Sequence, residues 1–583
     1  MRKILFILFC FMLWVSALYA ACPGDDCTSC GDRCYTVTSN SQAAVQATVN
    51  ACTSEDEWWT VNVPEGEVTW TSGITVANKK IKLLGGYGGT YTTINASMSS
   101  AGYSVAVIRF NVTTYPIEIS GFNFSGVVGN GNPLIIDKTQ SGNSTKVNGI
   151  RVHRNVFNTI NKSMWIGYAY GLVDNNVFLH PYSYIGVREV HPSDTGGTYD
   201  TLQGAASWNR GIDFSTFGAD AVYFENNTLS HSGQLNFFYD ASYGARVVAR
   251  FNTITNSVLS FHGIGQGQAG NRGSFLNVWY NNKILYNQAG WSIASLKVVG
   301  GTGLAFNNTS DLSGAGTGTF YSQIYSYRSN PAYSVTNAYA LGFQYPCSAE
   351  NMYADGGPDG PTDGYPCGDN IGTSGALGLS GQTITPFYAW NNKQKGVAVK
   401  FAPLATDVYT AVHTQNNRDY YDQDDANCTT RVDGSTACTA GVGVGTQRPD
   451  LCTAGVAYYE TDEQALYKCT ATNTWTKYFE PYTCPHPLAG EGTCDYNVAG
   501  TAGYSLGLAP DETPPVISGQ TPTGQQACTG DDEEVEIGVT TDSKWGGSKG
   551  FFGSGSLILL KVGGQGQLLA ACYGAIEERV LKP

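Results

Sequence analysis

One frame recurs through the middle of this chain: an apolar-rich run, an Asn, one residue, and usually a large apolar side chain. "VYFENNTLSH", which begins at Val222, carries it, and so do "IRVHRNVFNTI", "GLVDNNVFLH", "VVARFNTITN" and "NVWYNNKILYN". The aligned residues are Asn155, Asn176, Asn227, Asn252, Asn282 and Asn308, and the frame resumes at Asn392 and Asn417. Steps of roughly 21–30 residues, with longer gaps read as insertions, mean stacked supersecondary units.

The columns of the alignment identify the unit. Three residues before the Asn stand Val152, Val173, Phe224, Ala249, Trp279 and Ala305; two after it stand Phe157, Phe178, Leu229, Ile254 and Ile284. Both columns are predicted to face inward. Two residues before the Asn stand His153, Asp174, Glu225, Arg250 and Tyr280, mostly polar and predicted to face outward. Alternation within short runs is strand periodicity. Each repeat is therefore one coil of a parallel β-helix, with coils about 4.8 Å apart. The Asn is expected to supply the left-handed backbone at a corner and to bond to its neighbours above and below. Glycosylation sequons would explain the Asn and Thr of "NNT" but not the apolar columns.

At 583 residues the chain exceeds one ordinary compact core. It has 71 Gly, 36 Tyr and only 14 % charged residues, which suits a sugar-facing surface. A net charge of −14 argues against a nucleic-acid partner, because phosphate binding needs clustered Lys and Arg. "MRKILFILFCFMLWVSALYA" has a basic start, an apolar stretch and small residues at its end, and reads as an export signal cleaved near Ala20 or Ala21. The "YAAC" that follows offers Cys22 as an alternative lipoprotein site. No other segment is long and apolar enough to span a bilayer. Of 16 cysteines, the clusters Cys22–Cys52 and Cys428–Cys494 are expected to pair as disulfides in an oxidising compartment, with zinc as the competing reading of the first cluster.

"SQAAVQATVNAC" places Val45, Val49 and Cys52 on one side of a short helix, suited to plugging the open end of the coil stack. "VNVPEGEVTWTSGITVANKKIKLLGGYGG" follows, then "ISGFNFSG" and the Asn-x-Phe coils. Together these stretches resemble the pectate-lyase-like superfamily of right-handed parallel β-helices, in particular exported bacterial members usually called right-handed β-helix proteins. The resemblance runs from about Cys34 to Leu488. It implies an all-β fold, a right-handed parallel β-helix, and a groove along one outer sheet that meets polysaccharide.

The expected division is a signal peptide (1–21), a Cys-rich segment with the capping helix (22–60), the parallel β-helix (61–421), a Cys-rich C-terminal cap (422–510) and a truncated immunoglobulin-like segment that folds poorly (511–583). Insertions are expected at 181–220 and 311–380. The end of the chain, from "SKWGGSKGFF" on, shows no strand pattern that matches such a sandwich. In "DGGPDGPTDG", Asp355, Asp359 and Asp363 gather hard oxygen ligands that Ca2+ would take. The spacing fits no EF-hand loop, and a solvated turn is the competing reading. No other metal or cofactor is assigned, and a monomer is expected.

The resemblance puts the groove on "MWIGYAYG", "LNFFYDASYG", "LSFHGIGQG" and "WSIASLKVVGG". Asp240, His262 and Lys297 are the candidate catalytic residues. A lyase needs a base to take a proton beside a carboxylate and a cation to hold the resulting anion. A glycosidase needs two carboxylates, for which Glu225, Glu189, Asp194, Asp200 and Asp213 are second candidates. Trp165, Tyr168, Tyr239, Trp291 and Arg272 are the candidate substrate-binding residues. Glu225 and Arg250 align in adjacent coils and read as a cross-strand ion pair. The Arg-x-Pro-x-x-Arg signature of pectate lyases is absent, and so are the acidic motifs that accompany the His-Gly pair of polygalacturonases. Two functions stand side by side: cleavage of a polysaccharide, or non-catalytic surface adhesion and glycan binding.

Overall fold

The computed structural model describes residues 33–53, 57–98, 105–111, 115–127, 131–137, 147–159, 163–167, 169–179, 185–188, 207–208, 212, 220–231, 236–261, 272–286, 294–311, 321–324, 371–375, 382–399, 401–403, 416, 418–422, 441–454 and 456–489, and six short strands beyond 526. The chain divides into two units, Met1–Thr501 and Ala502–Pro583.

The first unit is a β-solenoid. Its largest sheet has 21 strands, and every pairing in it except that with Val397–Ala398 is parallel. A coil has three sides. Ala169–Asp174 runs up to the Asn corner, Val177–Leu179 leaves it, and Ile185–Arg188 forms a third strand. The next coil repeats this with Val222–Glu225, Thr228–Ser230 and Tyr239–Ser242. We call the sides the pre-Asn, post-Asn and third faces. The two inward columns read from the sequence pair in register: Val173 with Phe224, Phe224 with Ala249, Ala249 with Trp279, and Phe157 with Phe178, Phe178 with Leu229. All are buried. From Phe224 to Ala305 large and small residues alternate along the first column, so Ala249 and Ala305 leave room for Trp279. Along the second, Phe124, Phe157 and Phe178 stack at 5.2 and 4.9 Å.

The asparagines form one continuous chain of hydrogen bonds. From Asn155 to Asn308, each donates its backbone N–H and its Nδ2 to Oδ1 of the next, ending on Asn392, at 2.9–3.3 Å. Each Nδ2 also reaches back to a carbonyl of the inward column one coil earlier, such as Val173 for Asn227 and Phe224 for Asn252. The left-handed backbone, however, belongs to the preceding residue. Arg154, Asn175, Asn226, Phe251, Asn281, Asn307 and Asn391 have φ of 51–57°. The doubled "NN" thus performs two tasks, one conformational and one hydrogen-bonding. Asn417 lies outside the described residues.

Helix Gln42–Ala51 starts at Ser41, whose hydroxyl accepts from Ala44 N, and buries Val45 and Val49 against the first coil. Its Gln46 amide accepts from Thr75 N and donates to Thr75 O, at 2.8 and 3.0 Å. That side chain closes the exposed edge of the third-face sheet as another strand would. Strand Arg33–Thr36 already pairs with Trp59–Trp70, so the sheet begins ahead of residue 61. Cys52 is a buried thiol rather than half of a disulfide, and burial pushes its pKa to about 11.

The outward column of the pre-Asn face is also buried, contrary to the sequence reading. His153, Asp174, Glu225, Arg250 and Tyr280 are at most 6 % exposed. The Cys-rich segment explains this. Strands Ala457–Glu460, Ala465–Ala471 and Thr474–Phe479 form an antiparallel sheet stapled by Cys452–Cys469. Tyr459 and Phe479 pack laterally on Phe306, and Tyr482 and His486 on Tyr223. Outward-facing is therefore not solvent-facing here. Paired charges accompany this covered surface: Glu225 with Arg250 at 2.6 Å, as expected, Asp174 with Arg151 at 3.1 Å, and Glu118 with His153 at 2.8 Å.

In the second unit, antiparallel pairing joins Gly555–Val562 to Gln567–Tyr573, and Glu533–Ile537 to Ser548–Phe552. Strands thus occur where the sequence reading saw no matching pattern, because the run "SLILLKV" lacks alternation yet still pairs along its length.

Two outcomes follow from this packing. Asn252→Ala removes an acceptor shared by two buried donors of Asn227 and should cost about 3 kcal/mol, whereas Asn226→Gly should stay within about 0.5 kcal/mol; urea unfolding with hydrogen exchange distinguishes them. Burial pushes the Glu118 carboxyl up, but hydrogen bonding and attraction to His153, with Arg151 and Lys82, outweigh it and leave the group below its ordinary value. The stabilisation is present above the unfolded pKa and lost as pH falls through the folded one. Glu118→Gln should therefore lower Tm at neutral pH, by an amount that shrinks as acid protonates the folded-state carboxyl.

Candidate functional site on the third face

The third face comprises two stacked sheets. Six strands run from Ile74–Ala77 to Tyr239–Ser242, and five continue from Asn236–Phe237 through Ser257–Ser260 and Ala294–Val298. The four segments expected to line a groove contribute strands to these sheets. In the six-stranded sheet, Ile74, Ile108, Leu134, Met164, Ile185 and Tyr239 align in the core. The adjacent register line, facing outward by strand alternation, is Thr75, Arg109, Ile135, Trp165, Gly186 and Asp240. Two positions on, Asn111 pairs with Asp137, and Gly167 with Arg188 and Arg188 with Ser242.

Glycines shape this surface. A Cβ on Gly186 would stand 2.8 Å from Cε3 of Trp165, and one on Gly167 would stand 2.6 Å from Asp137 Oδ1. The indole of Trp165 thus lies across Gly186, with Nε1 turned toward Gly167. Trp165 is 8 % exposed and packs with Ala106 and Ile135. In the structure as it stands it is a wall and not an open stacking platform.

Tyr239 is a correction. It is wholly buried, stacks on Phe224 at 5.4 Å, and its hydroxyl bonds to Asn277 and to the indole N–H of Trp279. A ring inside the coil cannot meet a sugar. Phe238 beside it is buried in the same core, so two successive residues point inward where the six-stranded sheet gives way to the five-stranded one. Arg272 is a correction too. It is 1 % exposed, with its guanidinium 4.3 Å from the Trp208 ring. Trp208 in turn lies 4.9 Å from Phe275 and donates Nε1–H to Gly273 O. Arg246 holds the neighbouring Ser207 by its hydroxyl and its carbonyl, and pairs with Asp220 at 3.0 Å. Arg272 and Arg246 thus anchor the insertion to the coils, a role that sequence spacing gave no sign of.

Asp240 is the second residue of its strand, buried to 4 % exposure. The turn begins at Tyr243 and Gly244, both with positive φ. Lys297 is half-buried, between the inward Leu296 and Val298 and in register with Ser260. Burial pushes its ammonium below the ordinary lysine value. Asp240 and Lys297 are two coils apart, about 10 Å along the axis. Asp137 stands three strands from Asp240, about 14 Å, which exceeds the spacing of a glycosidase carboxylate pair. Glu225 is committed to Arg250. His262, Tyr168, Trp291, Glu189, Asp194, Asp200, Asp213, Asp355, Asp359 and Asp363 lie outside the described residues. Among the described residues no His, Cys, Asp and Glu cluster is arranged to hold a metal, and no helix is long and apolar enough to cross a membrane.

No family model matches this chain, and no curated protein matches it. A solved structure titled "Geobacillus virus E2 - ORF18" aligns with 11% identity over 49% of this chain and 57% of that one, with a TM-score of 0.23. A likeness that low carries no argument.

A lysine whose pKa is depressed by burial destabilises the fold while both states are protonated. The cost is relieved as pH rises from the folded pKa toward the ordinary one. Lys297→Met should therefore raise Tm at neutral pH, with the gain shrinking in alkaline buffer; an unchanged or lowered Tm would show that the ammonium is structurally required.

Proposed function

We propose that this protein is an exported, right-handed parallel β-helix of the pectate-lyase-like kind that engages polysaccharide along its third face. One observation supports this most. Between successive strands of the coils, the longest stretches of chain follow third-face strands: residues 189–221 after Ile185–Arg188, 261–275 after Ser257–Ser260, 325–386 (which include the strand pair Thr373–Gly375 and Gln382–Ile384) after Tyr321–Ile324, and 404–419 after Phe401–Pro403. The Asn corner spans only two residues in coil after coil. Ligand-recognising residues concentrate on loops held by a rigid scaffold, and in parallel sheets they gather at the carboxyl ends of strands. The other two faces offer less. The pre-Asn face is largely covered by the Cys-rich sheet, and the post-Asn face adjoins the two-residue Asn corner.

On this reading Lys297 is the cation that meets an acidic sugar, and Asp240, buried in the same face, is the carboxylate that shapes the surface the sugar rests on. An acidic sugar also suits a protein of net charge −14 only where a local cation offsets the overall field. The second reading, adhesion without turnover, is favoured by the burial of Trp165 and Tyr239 and by the wide spacing of Asp137 and Asp240. Secretion and a monomeric state are part of the proposal.

Incubation of the full chain with a polysaccharide panel tests both readings, by the ultraviolet absorbance of unsaturated ends, by reducing ends and by co-sedimentation. Binding with product supports the catalytic form, binding alone supports adhesion, and neither rejects the proposal. Asp240→Asn should abolish engagement while Tm stays within about 2 °C, since a group in a functional site is retained at some cost to stability. A large fall in Tm would instead mark Asp240 as a structural turn partner.

A further inference from the structure

The third face forks at one residue. Asn236 and Phe237 pair downstream, with Ser257 and Val258, whereas Tyr239–Ser242 pairs upstream, with Ile185–Arg188. Phe238 between them is bonded to both sides. Its N–H donates to Val258 O at 2.9 Å, and its carbonyl accepts from Ile185 N–H at 3.4 Å. Tyr239–Ser242 is accordingly the last strand of the six-stranded sheet. Beyond that strand the turn is bonded to the downstream coil again: Tyr243 N–H donates to Arg272 O at 2.9 Å, and Gly244 N–H to Gly273 O at 2.8 Å. Polar side chains stand on either side of the fork. Upstream, Asp240 and Ser242 face outward, because Ala241 between them is in the core. Downstream, Ser260 and Lys297 are in register and face outward, because Leu259 and Leu296 are in the core. Ser242 is 6 % exposed, and its Oγ has no hydrogen-bond partner in the protein. A hydroxyl taken out of water without a partner costs stability, and such a group calls for a reason. A site that closes around a ligand supplies one.

We propose that the fork is a subsite for an acidic heteropolysaccharide, one in which each carboxylate-bearing sugar is flanked by neutral ones. This rests on the reading that the third face meets polysaccharide. Lys297 takes the carboxylate, and a neutral residue upstream of it lies across the fork with a hydroxyl bonded to Ser242 Oγ. Charge fixes that order. A carboxylate placed upstream would stand over Asp240, two coils or about 10 Å from Lys297, and over Asp137 beyond it. Both aspartates are at most 5 % exposed, so water screens them poorly, and like charges brought together there repel strongly. An uninterrupted run of acidic sugars is therefore excluded from the fork. An uncharged chain fits the Ser242 side but gains nothing from Lys297.

The test is calorimetric titration of the full chain with oligosaccharides of equal length from three polymers: gellan, in which single glucuronates are separated by neutral sugars, a polyglucuronate, and cellulose. The gellan fragments are expected to bind about ten-fold more tightly than either of the others. Ser242→Ala should weaken them about five-fold, through loss of one hydrogen bond, while Tm holds or rises, since the variant removes an unbonded buried hydroxyl. Lys297→Met should weaken them about ten-fold and bring them level with the cellulose fragments. Polyglucuronate fragments that bind as tightly as gellan fragments overturn the subsite, and so does an unchanged affinity in Ser242→Ala. A clear fall in the Tm of that variant overturns it too, because the hydroxyl would then serve the fold. Where another polysaccharide of the panel binds and gellan does not, the subsite alone falls. Where none binds, the polysaccharide reading falls with it.

Discussion

A buried chain of amide hydrogen bonds sets the geometry of this molecule. Each ladder asparagine lends its Oδ1 to two donors of the coil before it, and its Nδ2 bonds to a carbonyl of that coil. A corner is thus satisfied largely by its neighbours, with a further bond from Nδ2 to the carbonyl two residues earlier at Asn155, Asn176 and Asn252. Slippage of one coil by a residue would orphan buried donors on both sides, and such orphans cost more than a made bond gains. The ladder therefore fixes the register of the strands on either side of it, and the inward columns of Phe, Val, Ala and Trp follow. Residues that accept positive φ make the corner tight enough for this. Where Asn is lacking, at Arg154 and Phe251, tertiary contacts hold the conformation; Phe251 packs its ring against Tyr280.

Once the corner is fixed, the three faces differ in what covers them. The post-Asn face stays largely open, with side chains such as Thr253, Thr255 and Lys283 half-exposed. The pre-Asn face carries charges that only make sense under a cover. Arg250 is fully buried, and the hydrogen bonds its guanidinium donates go to Glu225 and Tyr280 on the two neighbouring strands and to the carbonyls of Tyr482 and Thr483, more than 200 residues away. The third face holds small residues and charges in lines, and its strands feed the long connections. A rigid solenoid can vary those connections without disturbing its core, because they leave from one corner while the ladder holds another.

Parts of the candidate site were legible and parts were not, for identifiable reasons. The Glu225–Arg250 pair was legible because the Asn alignment put the two residues on neighbouring strands in one column. Tyr239 was misread because alternation fails where Phe238 and Tyr239 both turn inward, at the junction between the two third-face sheets. Arg272 was misread because an arginine in a glycine-rich run looks exposed, and its partner, Trp208, belongs to a different coil and a different insertion. Trp165 was placed on the correct side of its strand, but its burial depends on packing that no local pattern reveals. Asp240 and Lys297 do lie on the third face, two coils apart.

The sequence alone determined the repeat, the inward columns, the ladder and the capping helix. Each depends on a period of two along the strand or of one coil along the chain, and a period is visible in one dimension. Tertiary structure decided which outward residues reach solvent, which residue at the corner carries the positive φ, and where the Cys-rich sheet lies. These depend on contacts between segments far apart in the chain, such as Arg250 with Tyr482. Spacing within the sequence carries no record of that approach, because it is selected by shape and charge after the coils have stacked.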